Sequence, residues 1–263
     1  MGQGLKKSAS KQAGRYSVAC GRIVGRSHIA AQVPCQDFVS VRRSSSMACI
    51  ALADGAGSRA KSEVGAEVVV RTTLRLLFAQ FDEIYAMCVA VEESARRHIH
   101  DRLLESLRRA ASRHGCDVRA LASTLLFVAH KGDRFLAGHI GDGLIAQIDE
   151  GGKPQTLSPP DNGEFANTTV FVPDPTAVER FRLFYGGPEQ SASGYVVMSD
   201  GCAESLYDKR TGNPAPAISK LLSWNQELSR KKVDGILAAN LQQAFSKKSA
   251  DDCSLALLSV RHG

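Results

Sequence analysis

Two-residue and 3.6-residue apolar periods do not alternate along this chain; they come in blocks, and that blocking most restricts the fold. Residues 15–24 (RYSVACGRIV), 38–43 (FVSVRR) and 47–53 (MACIALA) read as strands, the last two paired across a serine-rich turn. The stretch between them, SHIAAQVPCQD, reads as a polar loop. A helical block follows. Val64, Val68, Leu74, Leu77, Phe78 and Phe81 share one face. A second stripe steps by three or four through Ile84, Cys88, Val91, Ala95, Ile99, Leu103, Leu107 and Ala110, and stops at His114-Gly115.

From Ala122 to Ile148 the period returns to two, as a meander interrupted by Gly132-Asp133 and Gly141-Asp142-Gly143. Residues 149–163 read as loop, and NTTVFV, ERFRLFY and GYVVMS as further strands. Residues 202–208, 216–224 and 228–246 read as helical, and CSLALLSV (253–260) as a last strand. Clustered strands and paired helices exclude a βαβ repeat. They predict an α+β fold with antiparallel sheets covered by helices.

A chain of 263 residues with 43% hydrophobic and 23% charged residues can bury a sizeable core. No apolar run approaches the length of a membrane span, so no membrane association is expected. The opening MGQGLKKSASKQAG has no apolar signal region and reads as a disordered tail over 1–14, ahead of one domain over 15–263. Seven cysteines, an odd number without a C-x-x-C pair, read as reduced core residues of a cytoplasmic protein. The net charge of +6 would help attract an anionic partner. With 6% aromatics and no recognisable motif, nucleic acid is not expected to be that partner.

The chemistry sits in acidic residues at strand ends. Asp37 precedes FVSV, Asp54 follows MACIALA, Asp142 follows RFLAGHIG, Asp200 follows GYVVMS, and Asp251-Asp252 precedes CSLALLSV. Asp-Gly suits a hairpin turn, but loop and helix follow Asp54-Gly55, and a helix follows Asp200-Gly201. Only Asp142-Gly143 has strands on both sides. Carboxylates converging on one sheet edge repel one another unless cations offset the charge. Oxygen donors without a His or Cys cluster favour Mn²⁺ or Mg²⁺ over zinc. Two such ions about 3.5–4 Å apart can share a bridging hydroxide that attacks phosphorus, which requires no protein nucleophile. Consistent with that, the chain has no nucleophile elbow, no C-x₅-R loop and no Walker A sequence.

In order and spacing, CQDF (35–38), LADGAGS (52–58), SEVGA (62–66), STLLF (123–127), GHIGDG (138–143), VVMSDG (196–201) and DDCSLALL (251–258) resemble the type 2C metal-dependent Ser/Thr protein phosphatases, in their compact bacterial form. The resemblance runs from about residue 15 to 260. It implies a sandwich of two antiparallel β-sheets flanked by helices on both sides, acting on phosphoserine and phosphothreonine in proteins. It implies Asp54 as the aspartate bridging two metals, with a carbonyl from Gly55. Asp200 and Asp251 complete the first metal's ligands, Asp37 serves the second through water, and Asp142 goes with a weaker third. Asp54 and Asp200 are the implied catalytic residues. The implied partners are a phosphoprotein and its Ser/Thr kinase, for a monomeric enzyme.

Departures from the family pattern are specific. Ala56 stands where the family often has a His, Gln36 replaces a Glu, and Asp252 replaces an Asn, so that Asp251 and Asp252 compete for the ligand role. Arg26 or His28 would stand in for the usual phosphate-binding Arg. Arg59 and Lys61 beside Asp54 could meet a substrate phosphate or belong to a solvated loop, and His139 reads as a structural hydrogen-bonding residue. A regulatory binding module that kept the fold and lost turnover is the alternative these departures raise.

Overall fold

The computed structural model describes residues 15–149, 151–161, 169–190 and 192–261. Two five-stranded antiparallel sheets face each other. The first is ordered β1 (Tyr16–Ile23), β12 (Cys253–Val260), β9 (Gly194–Met198), β6 (Leu144–Ile148), β7 (Pro154–Ser158). The second is ordered β2 (Phe38–Arg43), β3 (Met47–Ala53), β4 (Leu125–Lys131), β5 (Arg134–Ile140), β8 (Arg182–Gly186). The α+β sandwich expected from the sequence is the observed architecture.

Strand alternation divides the core into three layers. In β3, Ala48, Ile50 and Leu52 point between the sheets, while Cys49, Ala51 and Ala53 point to helices α2 (Ser62–Ala90) and α3 (Glu92–His114). In β12, Ala256, Leu258 and Val260 point between the sheets, and Leu255 and Leu257 point to α6 (Ala217–Glu227) and α7 (Arg230–Gln243). Both faces of these strands are covered, so β3 and β12 are continuous apolar runs rather than polar–apolar alternations. Burying each Leu or Ile there contributes about 1.5–3 kcal/mol.

Several expectations are corrected. The loop before Gln36 contains α1 (Arg26–Ala31); this single helix has no buried residue, so it left no apolar stripe to read. Residues 149–163 contain β7, despite their Gly and Pro content. Residues 169–172 form no strand, and Asn167 and Thr168 lie outside the described residues. ERFRLFY divides into α4 (Ala177–Arg180) and β8. The Ile84–Cys88 stripe continues α2 beyond an irregular Gln80, and the break falls at Val91, where Glu92 and Glu93 open α3 as acidic first-turn residues. Asp142-Gly143 is not a hairpin: β5 and β6 lie in different sheets, and the chain crosses the sandwich there. The tail over 1–14 lies outside the described residues.

All seven cysteines are free. Among the described residues no helix is long and apolar enough to cross a membrane.

Candidate active site

Register brings five strand ends to one rim. Phe38 pairs with Ala53, so Asp37 and Asp54 flank adjacent strands at the same end. Leu125 pairs with Ile140, which puts the Asp142 crossing beside the start of β4. Met198 pairs with both Leu144 and Leu255, so Asp200 emerges beside the start of β12, where Asp251 and Asp252 lie.

Backbone and side-chain bonds hold these ends together. The Asp54 N–H donates to Thr124 Oγ1 at 2.9 Å, and the Thr124 N–H donates to the Asp54 carbonyl at 2.8 Å. The Gly55 N–H donates to the Gln36 carbonyl at 3.2 Å. A Cβ on Gly55 would stand 2.8 Å from that carbonyl and from Ser62 backbone carbon, so only glycine lets the loop, β2 and the first turn of α2 meet. Asp200 opens helix α5 (Asp200–Leu206), and a Cβ on the following Gly201 would lie 2.2 Å from the Asp252 carbonyl. Glycine thereby seats α5 directly on the entry to β12.

Asp252 fastens one sheet to the other. Its carboxylate accepts from the Gly25 N–H at 2.7 Å and the Gln36 N–H at 2.6 Å, and its Oδ1 lies 2.9 Å from His28 Nδ1. It is 2% exposed, whereas Asp251 is exposed and faces the rim cavity. Of the two, Asp252 is committed to backbone donors and Asp251 is available to a ligand.

The cavity holds about 200 Å³, and its wall includes Asp54, Asp142, Asp200 and Asp251, with Gly55 and His28. Thr169 and Phe171 also face it, and Thr169 Oγ1 donates to Asp142 Oδ2 at 2.6 Å; nothing in their local sequence marked either. Asp37 lies beneath, 1% exposed, with the Ser254 and Ser199 hydroxyls beside its carboxylate. Gln36 Oε1 is buried without a donor. Arg26, Arg59 and Lys61 are not part of the wall. Ala56 is. One donor atom each from His28, Asp251 and Asp252 lies within 4.8 Å of the others, a contact between imidazole and carboxylates that the sequence had not suggested. His139 is fully buried away from the cavity, its Nδ1 2.8 Å from Ser158 Oγ and 2.8 Å from Arg182 Nη2.

The carboxylates disturb one another. Burial raises Asp54 well above the usual carboxylate range, and Asp37, Asp200, Asp142 and Asp251 add to the rise. Burial also pushes Asp37 up to about 7; the Ser254 and Ser199 hydroxyls offset part of the rise, and Asp252 and Asp200 add to it. Asp200 is pushed up to about 7 by burial and then by Asp142 and Asp251. A buried carboxylate without donors costs several kcal/mol unless it is protonated or meets a cation.

A sequence profile described as protein phosphatase 2C matches residues 24–246. The chain belongs to the protein phosphatase 2C family. It is thus a protein phosphatase by family, as the sequence resemblance implied. It is 25% identical over 245 residues to the serine/threonine-protein phosphatase 3 of Escherichia coli K12, covering 89% of this chain and 94% of that protein. Solved structures share the fold. A bacterial serine phosphatase superposes with a TM-score of 0.64 at 15% identity, covering 94% of this chain and 98% of that one. The Mycobacterium tuberculosis serine/threonine phosphatase PstP/Ppp gives 0.60 at 15%, covering 94% and 99%. The PstP catalytic domain in complex with 2 manganese ions gives 0.58 at 16%, again covering 94% and 99%. Phosphatases of the 2C type are metal-dependent, and the oxygen-rich rim of this 2C phosphatase is chemically suited to hard cations.

Proposed function

We propose that this 2C phosphatase hydrolyses phosphoserine and phosphothreonine esters on proteins at the acidic rim, with two Mn²⁺ or Mg²⁺ ions and a weaker third. The observation that carries this is the carboxylate cluster itself: Asp37, fully buried, lies under a cavity walled by four more aspartates. Such a set is unfavourable alone and fits a pair of divalent cations. PstP with its 2 manganese ions, on the same fold, supports the count.

In this reading Asp54, the Gly55 carbonyl, Asp200 and Asp251 would hold one ion, with Asp54 shared with a second that Asp37 would serve through water, and Asp142 would serve the third. Bound there, such ions would supply an activated water at neutral pH and positive charge for the phosphoryl oxygens. Thr124 and Thr169 fix the Asp54 backbone and the Asp142 carboxylate, so that the donors need not reorganise. The small cavity admits a phosphoryl group and keeps the bulk of a protein substrate outside.

Ala56 leaves the wall without the imidazole that many family members place there. His28 faces the same space from α1, its Nδ1 beside the Asp252 carboxylate that α1 and β2 share. It is the candidate to contact substrate phosphate; Arg26 is set aside because it does not line the cavity. The phosphate removed here would have been placed by a Ser/Thr kinase. A fold kept for binding alone has no specific support, because every carboxylate that the chemistry needs is present.

The test is turnover of p-nitrophenyl phosphate and of a phosphothreonine peptide, with and without Mn²⁺, for wild type and Asp54→Ala. Metal-dependent turnover lost in the variant supports the proposal. Equal rates in both proteins without metal would end it.

A further inference from the structure

A second cavity lies away from the aspartates. It is a groove of about 920 Å³ between α2 and α3, on the outer side of the second sheet. Its walls carry Arg71 and Arg75 from α2 and Arg108, Arg109, Arg113 and His114 from α3, all exposed. One carboxylate, Glu67, lines it. Val64 and Val68, half-buried, give it an apolar strip.

Part of this charge has a local explanation. Arg71 pairs with Glu67 at 2.7 Å, and Arg109 pairs with Glu105. Arg113 and His114 lie in the last turn of α3, where cations complement the helix dipole. Arg75 and Arg108 have no carboxylate partner among the described residues. Like charges are thus gathered along a concave surface, where their potentials add.

We propose that this groove docks an acidic segment of the protein substrate, an inference that rests on the phosphatase reading above. Val64, Val68, Arg71 and Arg75 form one stripe along α2, about 16 Å long at about 1.5 Å per residue. That length takes roughly five residues of extended peptide at about 3.3 Å each. Guanidinium groups on both walls suit carboxylates, which they bind in pairs, and the valines suit an interspersed apolar side chain. The groove has no Phe, Tyr or Trp on its wall for bases to stack on, which favours a peptide over single-stranded nucleic acid. Its position favours the substrate in particular. Val64 stands in the first turn of α2, and Ser62 in that turn packs against Gly55 of the acidic rim. A chain lying in the groove therefore ends about one helical turn from the helix start that abuts the rim.

The test uses the full chain with Mn²⁺ and a fluorescein-labelled, unphosphorylated 12-residue peptide of Glu and Asp with two Leu. Its anisotropy is compared for wild type and for Arg75→Glu/Arg108→Glu/Arg113→Glu. At least a tenfold rise in Kd is expected in the variant. A phosphoserine peptide joined to the same acidic segment should show a similar rise in KM with kcat unchanged, while p-nitrophenyl phosphate turnover stays at the wild-type rate and shows that the variant is folded. If the triple variant does not fold, Arg75→Gln/Arg108→Gln replaces it, with at least a threefold rise expected. An unchanged peptide Kd would overturn the proposal, and so would tighter binding of a 12-nucleotide single strand than of the peptide. Because the labelled peptide is not turned over, its binding decides the groove even if wild type hydrolyses no phosphoester, a result that would instead end the phosphatase reading.

Discussion

The molecule holds two concentrations of like charge and treats them in opposite ways. At the rim, aspartates are gathered at the ends of buried strands, and Asp37 is closed off from solvent. Between α2 and α3, arginines are gathered on exposed helix faces, where water solvates each one. Exposed helical pairs such as Arg71–Glu67 contribute only about 0.3–0.5 kcal/mol, so the groove neither gains nor loses much stability from its charge. The rim differs because burial makes each negative charge expensive. Like charge on a surface shapes encounter, whereas like charge in the interior calls for a counter-ion.

Substitutions at the rim should separate the two regions most sharply. Asp54→Asn is expected to lower kcat/KM toward a phosphopeptide on the order of 10³-fold, since Asp54 is the ligand that the proposal assigns to both ions. Steady-state assays at saturating Mn²⁺ measure this. A loss under tenfold would detach Asp54 from the chemistry.

Gly55→Ala comes next. The added Cβ meets the Gln36 carbonyl and Ser62 at 2.8 Å, contacts that backbone cannot vacate cheaply. A destabilisation of about 1–3 kcal/mol is expected in urea melts. The matching groove change, Arg75→Ala, should stay within about 0.5 kcal/mol, as exposed substitutions do.

The pH dependence of the metal-free chain sharpens the comparison further. Burial and neighbouring carboxylates push Asp37 and Asp200 up to about 7 in the folded chain, against about 3.9 in an unfolded one. Between those values the folded chain holds more protons than the unfolded chain, so stability from these groups falls as pH rises. It is complete below about pH 4 and lost as pH passes through about 7. With metal chelated, the midpoint of thermal unfolding should therefore drop between pH 5 and pH 7.5, and excess Mn²⁺ should restore it at the higher pH. A midpoint insensitive to both would show that the carboxylates do not burden one another.

Much of this arrangement could be read before any coordinates. β2, β3 and β12 begin and end where the sequence reading placed them, because continuous apolar runs flanked by polar residues leave few other registers. Pairing of β2 with β3 carries Asp37 and Asp54 to one end, pairing of β9 with β12 does the same for Asp200 and Asp251, and the facing of the two sheets brings the pairs together. What escaped was whatever had no apolar pattern or depended on partners distant in sequence. Helix α1 buries nothing, and β7 lies among glycines and prolines. Asp142-Gly143 has the local chemistry of a hairpin, yet the chain uses it to change sheets, because β6 finds its partners in β7 and β9. The division of labour between Asp251 and Asp252 was equally hidden, since the donors that occupy Asp252 come from residues 25 and 36. Thr169 and Phe171 were invisible for the same reason.

The most direct measurement is anomalous scattering from crystals soaked in Mn²⁺. Two peaks about 3.5–4 Å apart, bounded by Asp54, Asp200 and Asp251 with Asp37 beneath, are the expected result. A rim that stays empty at saturating Mn²⁺, or peaks at other carboxylates only, would contradict it.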